Sequence, residues 1–176
     1  MSLAARTGRL RLMAEPLPER ARNLWGAANV LLQKLPAPEF SVTTRIDFGN
    51  LRPKEKAGLV VMGMNYSYLA VERGKSGFQL AKYSCVNAPE GVAEKREAEA
   101  EFPGPTVVLK VSMFQGGTFQ FSFSSNGRTF IPFGPRFKAR EGKWIGARVG
   151  LFCLGARAGN NGYADFDWFR FESKEE

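Results

Sequence analysis

The fold class is decided by Thr118-Phe119-Gln120-Phe121-Ser122-Phe123-Ser124, which is followed by Asn126-Gly127. Three phenylalanines alternate with polar residues, so an extended strand here has one apolar face and one polar face. Asn-Gly favours the positive φ values of a two-residue hairpin turn. The stretch therefore predicts a β-hairpin whose phenylalanines pack into a core.

Similar alternating or β-rich runs occur along most of the chain. They predict further strands at residues 10–12, 29–34, 40–48, 57–63, 66–72, 78–86, 107–114 and 163–171. Residues 90–101 are rich in Ala, Glu and Lys, which favour helix, but their charged and small residues alternate in the way that protects an edge strand. We therefore predict an edge strand there and an all-β, two-sheet antiparallel β-sandwich overall.

Length and composition indicate one folded domain. A chain of 176 residues that is 44% hydrophobic and 24% charged can bury one sizeable core. Its longest apolar runs have strand length, so we expect no contact with a membrane. Residues 1–3 resemble a cloning scar in front of a fragment, residues 8–172 form the domain and residues 173–176 are a tail. The compartment stays unknown, because a longer parent protein could be cytoplasmic or secreted.

The charge distribution and the two cysteines indicate the kind of surface and the redox state of the thiols. The net charge is +8, but Lys and Arg are scattered, so a solvated surface is favoured over a nucleic-acid site. One local basic cluster contains Arg136, Lys138, Arg140 and Lys143. Cys85 and Cys153 are predicted to be buried free thiols, although a disulfide stays open if the strands bring them together.

Candidate catalytic groups are few because the chain has no histidine. This excludes Ser-His and Cys-His nucleophiles and His-based zinc sites. There is also no Gly-rich phosphate loop. Asp165 and Asp167 lie two residues apart on a predicted strand, where they could ligate calcium or share a proton. The polar face of a last strand is the favoured interpretation, and no cofactor is expected beyond an unproven structural calcium.

Six stretches of the sequence carry a family resemblance. They are Leu24-Trp25, NVLLQKLPAPEF at 29–40, AGLVVMG at 57–63, FSFS at 121–124, REGKWIGARVGLFC at 140–153 and GYADFDWFR at 162–170. Together they resemble the C-terminal domain of β-xylosidases of glycoside hydrolase family 43. The resemblance implies a concanavalin A-like jelly roll, which accompanies a five-bladed propeller in the same parent protein. In that family the catalytic aspartates and glutamate all come from the propeller, so this chain alone is expected not to hydrolyse glycosides.

The resemblance also implies a contact site. In several relatives a loop of the sandwich places an aromatic side chain at the mouth of the propeller pocket, where short xylo- or arabino-oligosaccharides bind. The matching segment is 142–146, which makes Trp144 the candidate, with Lys143 beside it and Arg140 nearby. An indole can cover a sugar face and exclude water. The alternative is that Trp144 only packs in the core or between domains.

Three further possibilities stay open from the sequence. The domain could be an autonomous carbohydrate-binding module of lectin-like fold, in which Trp25, Tyr66, Tyr68 and Trp168 form either a stacking platform or core. A stand-alone hydrolase of the concanavalin A-like glucanase type is disfavoured, because Phe169 stands where that motif needs a glutamate. Relatives also carry a Trp-containing strand just before the segment matching 8–12, and its absence would leave a sheet edge open to dimerisation.

Overall fold

The computed structural model describes residues 1–36, 38–142, 146–156, 159 and 162–173. Over these residues the chain forms fourteen strands and two single-turn 3-10 helices, Leu24–Gly26 and Ala88–Glu90. None of the helices in this part of the chain is long and apolar enough to cross a membrane. The strands are β1 (Leu10–Met13), β2 (Glu15–Pro16), β3 (Val30–Lys34), β4 (Phe40–Asp47), β5 (Lys56–Met62), β6 (Tyr66–Arg73), β7 (Phe78–Cys85), β8 (Lys95–Phe102), β9 (Thr106–Phe114), β10 (Thr118–Ser124), β11 (Ile131–Pro132), β12 (Phe137–Lys138), β13 (Arg148–Gly155) and β14 (Tyr163–Ser173).

Two seven-stranded sheets pack face to face. The first has the order β1-β14-β4-β9-β10-β11, with β12 also paired to β10. The second has the order β2-β13-β5-β6-β7-β8, with β3 also paired to β13. All pairs are antiparallel except the short contact of β2 with β13. The predicted two-sheet sandwich is confirmed, and β8 lies at the edge of the second sheet as its charge pattern predicted.

The core between the sheets follows the predicted alternation. Along β4, buried and half-buried residues alternate without exception from Phe40 to Asp47. Phe119 and Phe121 of β10 are fully buried, and Phe123 is half-buried with its ring edge-to-face against Phe102. Alternation predicts this side of the core well because each strand exposes only one face to the opposite sheet.

A β-bulge changes the alternation in β14. Phe166 pairs with Ile46 and Phe169 pairs with Thr44, so three steps along β14 match two steps along β4. The extra residue turns Phe169 toward the core. Trp168 is then half-buried and lies outside both packed apolar clusters, so the interpretation of its ring as core is wrong.

The turn after β10 is longer than predicted. Phe123 pairs with Ile131, which leaves a loop of several residues instead of a two-residue turn. The side chain of Asn126 organises this loop, because its Oδ1 accepts hydrogen bonds from the amides of Arg128 and Thr129 at 2.8 and 3.0 Å. The hairpin is confirmed and its turn type is corrected: Asn126 acts through its side chain as an Asx turn.

The two cysteines are free and buried. Cys85 on β7 belongs to the apolar cluster on the outer face of the second sheet, whereas Cys153 on β13 faces the other sheet. Two strands separate β7 from β13, a distance of about 14 Å at ~4.8 Å per strand. The predicted free thiols are confirmed.

The outer edge of β1 is partly covered by the start of the chain. The amide of Ser2 donates to the carbonyl of Arg11 at 2.9 Å, and the amide of Arg11 donates to the carbonyl of Ser2 at 2.8 Å. This pairing hydrogen-bonds part of the edge of β1, whose free backbone groups could otherwise pair with a second chain. Dimerisation through that edge remains a prediction.

A second, smaller apolar cluster lies on the outer face of the second sheet. Tyr66 and Tyr68 of β6 are fully buried there and stack with their ring centroids 6.2 Å apart. Residues around the two 3-10 turns cover them, including Leu24 and Ala88. The tyrosines are therefore core residues, but of this outer cluster and not of the layer between the sheets.

Candidate functional site

The loop predicted to contact substrate lies between β12 and β13. Lys143 and Trp144 fall outside the described residues, and Arg140 is the one candidate that the structure places. Arg140 is exposed, and its Nη1 donates to Oδ1 of Asn87 at 3.4 Å. This contact ties the start of the loop to the segment that follows β7.

Both ends of this loop are fixed by backbone contacts, the entering end to turns of both sheets and the leaving end to β5. On the entering side, the amide of Ala139 donates to the carbonyl of Gly117 at 3.1 Å, and the carbonyl of Glu141 accepts from the amide of Met64 at 3.1 Å. On the leaving side, Arg148 pairs with Met62 at the end of β5. The turn between β5 and β6 therefore positions the loop.

Gly63 permits this close approach. A Cβ atom at this position would lie 1.8 Å from the carbonyl oxygen of Arg140, far inside van der Waals contact. Only a residue without a side chain lets the two backbones lie together. In the sequence Gly63 indicated no more than a turn, since the contact joins residues 77 positions apart.

The carboxylate of Asp165 is paired with two arginines. Asp165 is 1% exposed, and its carboxylate accepts from Nε and Nη2 of Arg11 at 2.8 and 2.9 Å and from Nη1 of Arg6 at 3.2 Å. Burial alone would raise the pKa of Asp165, but the hydrogen bonds from Arg11 and Arg6 outweigh it and lower the pKa. The side chain is an ionised partner in a cross-strand ion pair.

Asp167 has a separate partner. Its Oδ2 lies 3.4 Å from Nη2 of Arg9, so a cation near Asp165 and Asp167 would compete with three arginines. Within the described ranges, no group of three His, Cys, Asp or Glu side chains could hold a metal ion. The geometry favours the interpretation of Asp165 and Asp167 as the polar face of a strand. Their partners are arginines of β1 and of the segment that precedes β1.

A buried polar network was not predicted from the sequence. Its centre is Glu94, which accepts hydrogen bonds from the hydroxyls of Tyr66 at 2.6 Å and Tyr68 at 2.7 Å, and from Nζ of Lys56 at 3.2 Å. Burial would raise the pKa of Glu94, but the charge of Lys56 and these hydrogen bonds lower it. Burial also raises the pKa of both tyrosines, so they stay neutral donors.

The network fixes the 3-10 turn that carries Trp25. The amide of Leu24 donates to the hydroxyl of Tyr66 at 2.9 Å, and the amide of Trp25 donates to Oδ1 of Asn23 at 3.1 Å. Asn23 is 3% exposed and donates to two carbonyls on the far segment, those of Ala88 at 2.9 Å and Val92 at 2.8 Å. Hydrogen bonds thus hold the backbone at Trp25 in one position.

Glu94 and Asp165 do not form the acid–base pair that a glycosidase needs. A general acid needs a raised pKa, whereas Glu94 and Asp165 both have lowered pKa values and are held by cations. An extended platform on which a sugar chain could stack is not seen in the described part of the chain, because no Trp, Tyr or Phe ring there is largely exposed; Trp25 is half-buried.

Fold and site together define a concanavalin A-like β-sandwich. Residues 1–172 match the family model of the beta-xylosidase C-terminal concanavalin A-like domain. The chain belongs to this family, so the resemblance noted in the sequence is confirmed over nearly the whole chain.

Individual relatives are much longer than this chain. It is 28% identical over 155 residues to a beta-xylosidase of Formosa agariphila, covering 85% of this chain and 24% of that protein. A bifunctional GH43-CE protein of Bacteroides eggerthii has the same fold, with a TM-score of 0.86, 23% identity and coverage of 99% of this chain and 22% of that one. A xylan beta-1,4-xylosidase of Bacillus halodurans gives a TM-score of 0.79 at 21% identity, covering 98% of this chain and 34% of that one. The chain thus spans between about a fifth and a third of these larger proteins.

Proposed function

We propose that this chain is the non-catalytic accessory domain of a family 43 glycosidase of the β-xylosidase or α-L-arabinofuranosidase type. It packs on the catalytic propeller of its parent protein and shapes the substrate pocket there. The observation that carries this proposal is the loop between β12 and β13, whose two ends are fixed at the β5–β6 turn beside the exposed Arg140. The described residues on either side of segment 143–145 are held by backbone contacts and need little ordering on docking, which supports a contact through this loop.

Two findings support the proposal that catalysis takes place in another domain of the parent protein. The matching relatives are about three to four and a half times as long as this chain, which leaves room in them for a separate catalytic domain. The buried carboxylates Glu94 and Asp165 are ionised and paired with cations, so neither is suited to protonate a leaving group. Catalysis then belongs to the propeller, and this domain contributes shape and positioning.

A carbohydrate-binding module of lectin-like fold is the competing proposal. Modules that bind neutral sugar chains rely on exposed aromatic rings, and the described rings are buried or half-buried. Docking to a propeller needs no such platform. We therefore place the docking role first and expect weak affinity for neutral xylo-oligosaccharides.

Calorimetric titration with xylotetraose and arabinoxylan, combined with hydrolysis of a chromogenic xyloside, tests the proposal. The chain alone should give no turnover, and its Kd for these neutral sugars should be above about 1 mM, which corresponds to less than ~4 kcal/mol of binding free energy. Turnover that co-purifies with the chain and survives further chromatography would contradict the proposal. Micromolar binding of xylotetraose would favour the binding module instead.

A further inference from the structure

A concave cleft of about 320 Å³ opens on the outer face of the second sheet. Its volume lies at the lower end of the range for small-molecule sites. Its lining residues include the apolar Leu24, Trp25, Val30, Leu32 and Met62 and one cation, Arg148, and polar atoms make up more of the exposed lining than apolar atoms. Apolar side chains beside a charged group and other polar atoms are the composition of a site that orients its ligand through polar contacts.

A second cation lies next to the first. Lys34 of β3 and Met62 of β5 are the direct cross-strand neighbours of Arg148, so the three side chains share one face of the sheet. Among the described residues, no carboxylate lies within 4.0 Å of the charged groups of Lys34 or Arg148. Like charges directly opposite each other are destabilising, and an anion between them removes that repulsion.

The aromatic side of the cleft is preformed. Trp25 lies in the 3-10 turn that Asn23 and the hydroxyl of Tyr66 hold, so its backbone does not need to be ordered when a ligand binds. An indole packs well against the apolar face of a pyranose ring, and a preformed wall keeps the entropic cost of binding low. The rigid Trp25 and the paired cations thus favour a ligand with one apolar face and one negative charge.

We propose that this cleft binds an anionic sugar residue, carboxylated or sulfated, with its ring on Trp25 and its anionic group between Arg148 and Lys34. The site is independent of the proposed docking role, because every residue in it belongs to this chain. It is also distinct from affinity for neutral xylan. Arg148 follows the candidate loop directly, so a bound anionic sugar would lie near the segment proposed to contact the propeller.

The test is calorimetric titration of the whole chain with three probes. These are xylotetraose substituted with glucuronic acid, a sulfated methyl xyloside and unsubstituted xylotetraose. At least one anionic probe should bind at least tenfold more tightly than xylotetraose, and its affinity should fall as salt is added. The two anionic probes distinguish a carboxylated from a sulfated ligand.

Variants locate the site. Arg148→Gln and Lys34→Gln should each weaken binding of the anionic probe about 10- to 100-fold, the usual effect of losing a hydrogen bond to a charged group. Lys75→Gln is the matched control, since it removes an exposed lysine from the turn between β6 and β7 and should leave affinity unchanged. Thermal melting checks that each variant is folded. Lys34 is exposed on a short edge strand, so its replacement should leave the fold intact.

Three results would overturn the proposal. The first is equal affinity for the anionic and neutral probes, and the second is no binding of any probe at millimolar concentration. The third is anionic binding that survives both Arg148→Gln and Lys34→Gln in folded protein. Turnover by the chain alone, which would contradict the accessory role, has no bearing on these outcomes, so the two proposals can fail separately.

Discussion

Replacing Glu94 by alanine should destabilise the domain more than replacing any exposed glutamate. The change removes the common acceptor of the Tyr66 and Tyr68 hydroxyls and the counter-charge of Lys56. The side chains of Glu94 and Lys56 are 16% and 18% exposed, so water replaces the lost contacts only in part. The 3-10 turn at Leu24 also loses the support that it receives through Tyr66.

The magnitude follows from these contacts. Breaking a buried ion pair from one side costs about 3–5 kcal/mol, and the residual exposure of Lys56 places the expected loss near the lower limit, at about 3 kcal/mol. For a domain of this length, 1 kcal/mol corresponds to roughly 2–4 °C in melting temperature. The Glu94→Ala variant should therefore melt about 6–12 °C below the unchanged protein.

Chemical denaturation followed by tryptophan fluorescence measures this free energy, with Glu99→Ala as the control. Glu99 pairs with Arg96, but its side chain is 60% exposed, so its loss should cost less than about 1 kcal/mol. If Glu94→Ala and Glu99→Ala have the same stability, the network does not hold the outer cluster together and the reasoning fails.

Because of the same network, the free energy of unfolding should fall at acid pH. The pKa of Glu94 is lowered in the folded state. Its contribution is therefore fully present above the unfolded-state pKa of about 4.3, and it is lost as pH falls through the lower folded-state pKa. The stability difference between Glu94→Ala and the unchanged protein should shrink below about pH 4. A difference that stays constant down to pH 2 would contradict the lowered pKa.

Three other changes follow from the geometry. Phe121→Asp places a charge in the inter-sheet core, so a cooperative thermal melt in this variant would contradict the assignment of that face. Gly63→Ala should displace the loop carbonyl that it would meet at 1.8 Å and speed amide hydrogen exchange at the β5–β6 turn, whereas Gly77→Ala meets no atom within 4 Å and should not. Asp165→Asn should lower the melting temperature more than Asp167→Asn. The first variant loses a buried contact with two arginines, whereas the second variant loses a single, longer ion pair. Equal melting temperatures of the two variants would count against this interpretation.

The sandwich could be predicted from the sequence because its strands are amphipathic in a simple way. The apolar positions of β4 and β10 recur every second residue, and both strands face the opposite sheet in the structure as that period requires. The edge position of β8 was also predictable, since its alternating charges suit a strand with one unpaired side.

Features that depend on contacts between distant residues could not be predicted in this way. The bulge that turns Trp168 out of the core arises from the pairing of β14 with β4. The sequence offers both Trp168 and its neighbour Phe169 to the core, and alternation alone does not choose between them. Glu94 lies directly before β8, in a segment whose alternation indicated only an edge strand, and only the fold brings it to Tyr66 and Lys56. The cross-strand match of Arg11 with Asp165 was visible only once β1 was known to pair with β14.

Association with the catalytic propeller of the parent protein tests the central claim most directly. The two domains would be produced separately and mixed in analytical ultracentrifugation, with hydrolysis of short xylo-oligosaccharides measured before and after mixing. The account predicts a complex at micromolar concentration and a change in KM for short chains that Gly63→Ala reduces, because this variant displaces the loop. Separate sedimentation at tens of micromolar, with propeller kinetics unchanged by this chain, would contradict it.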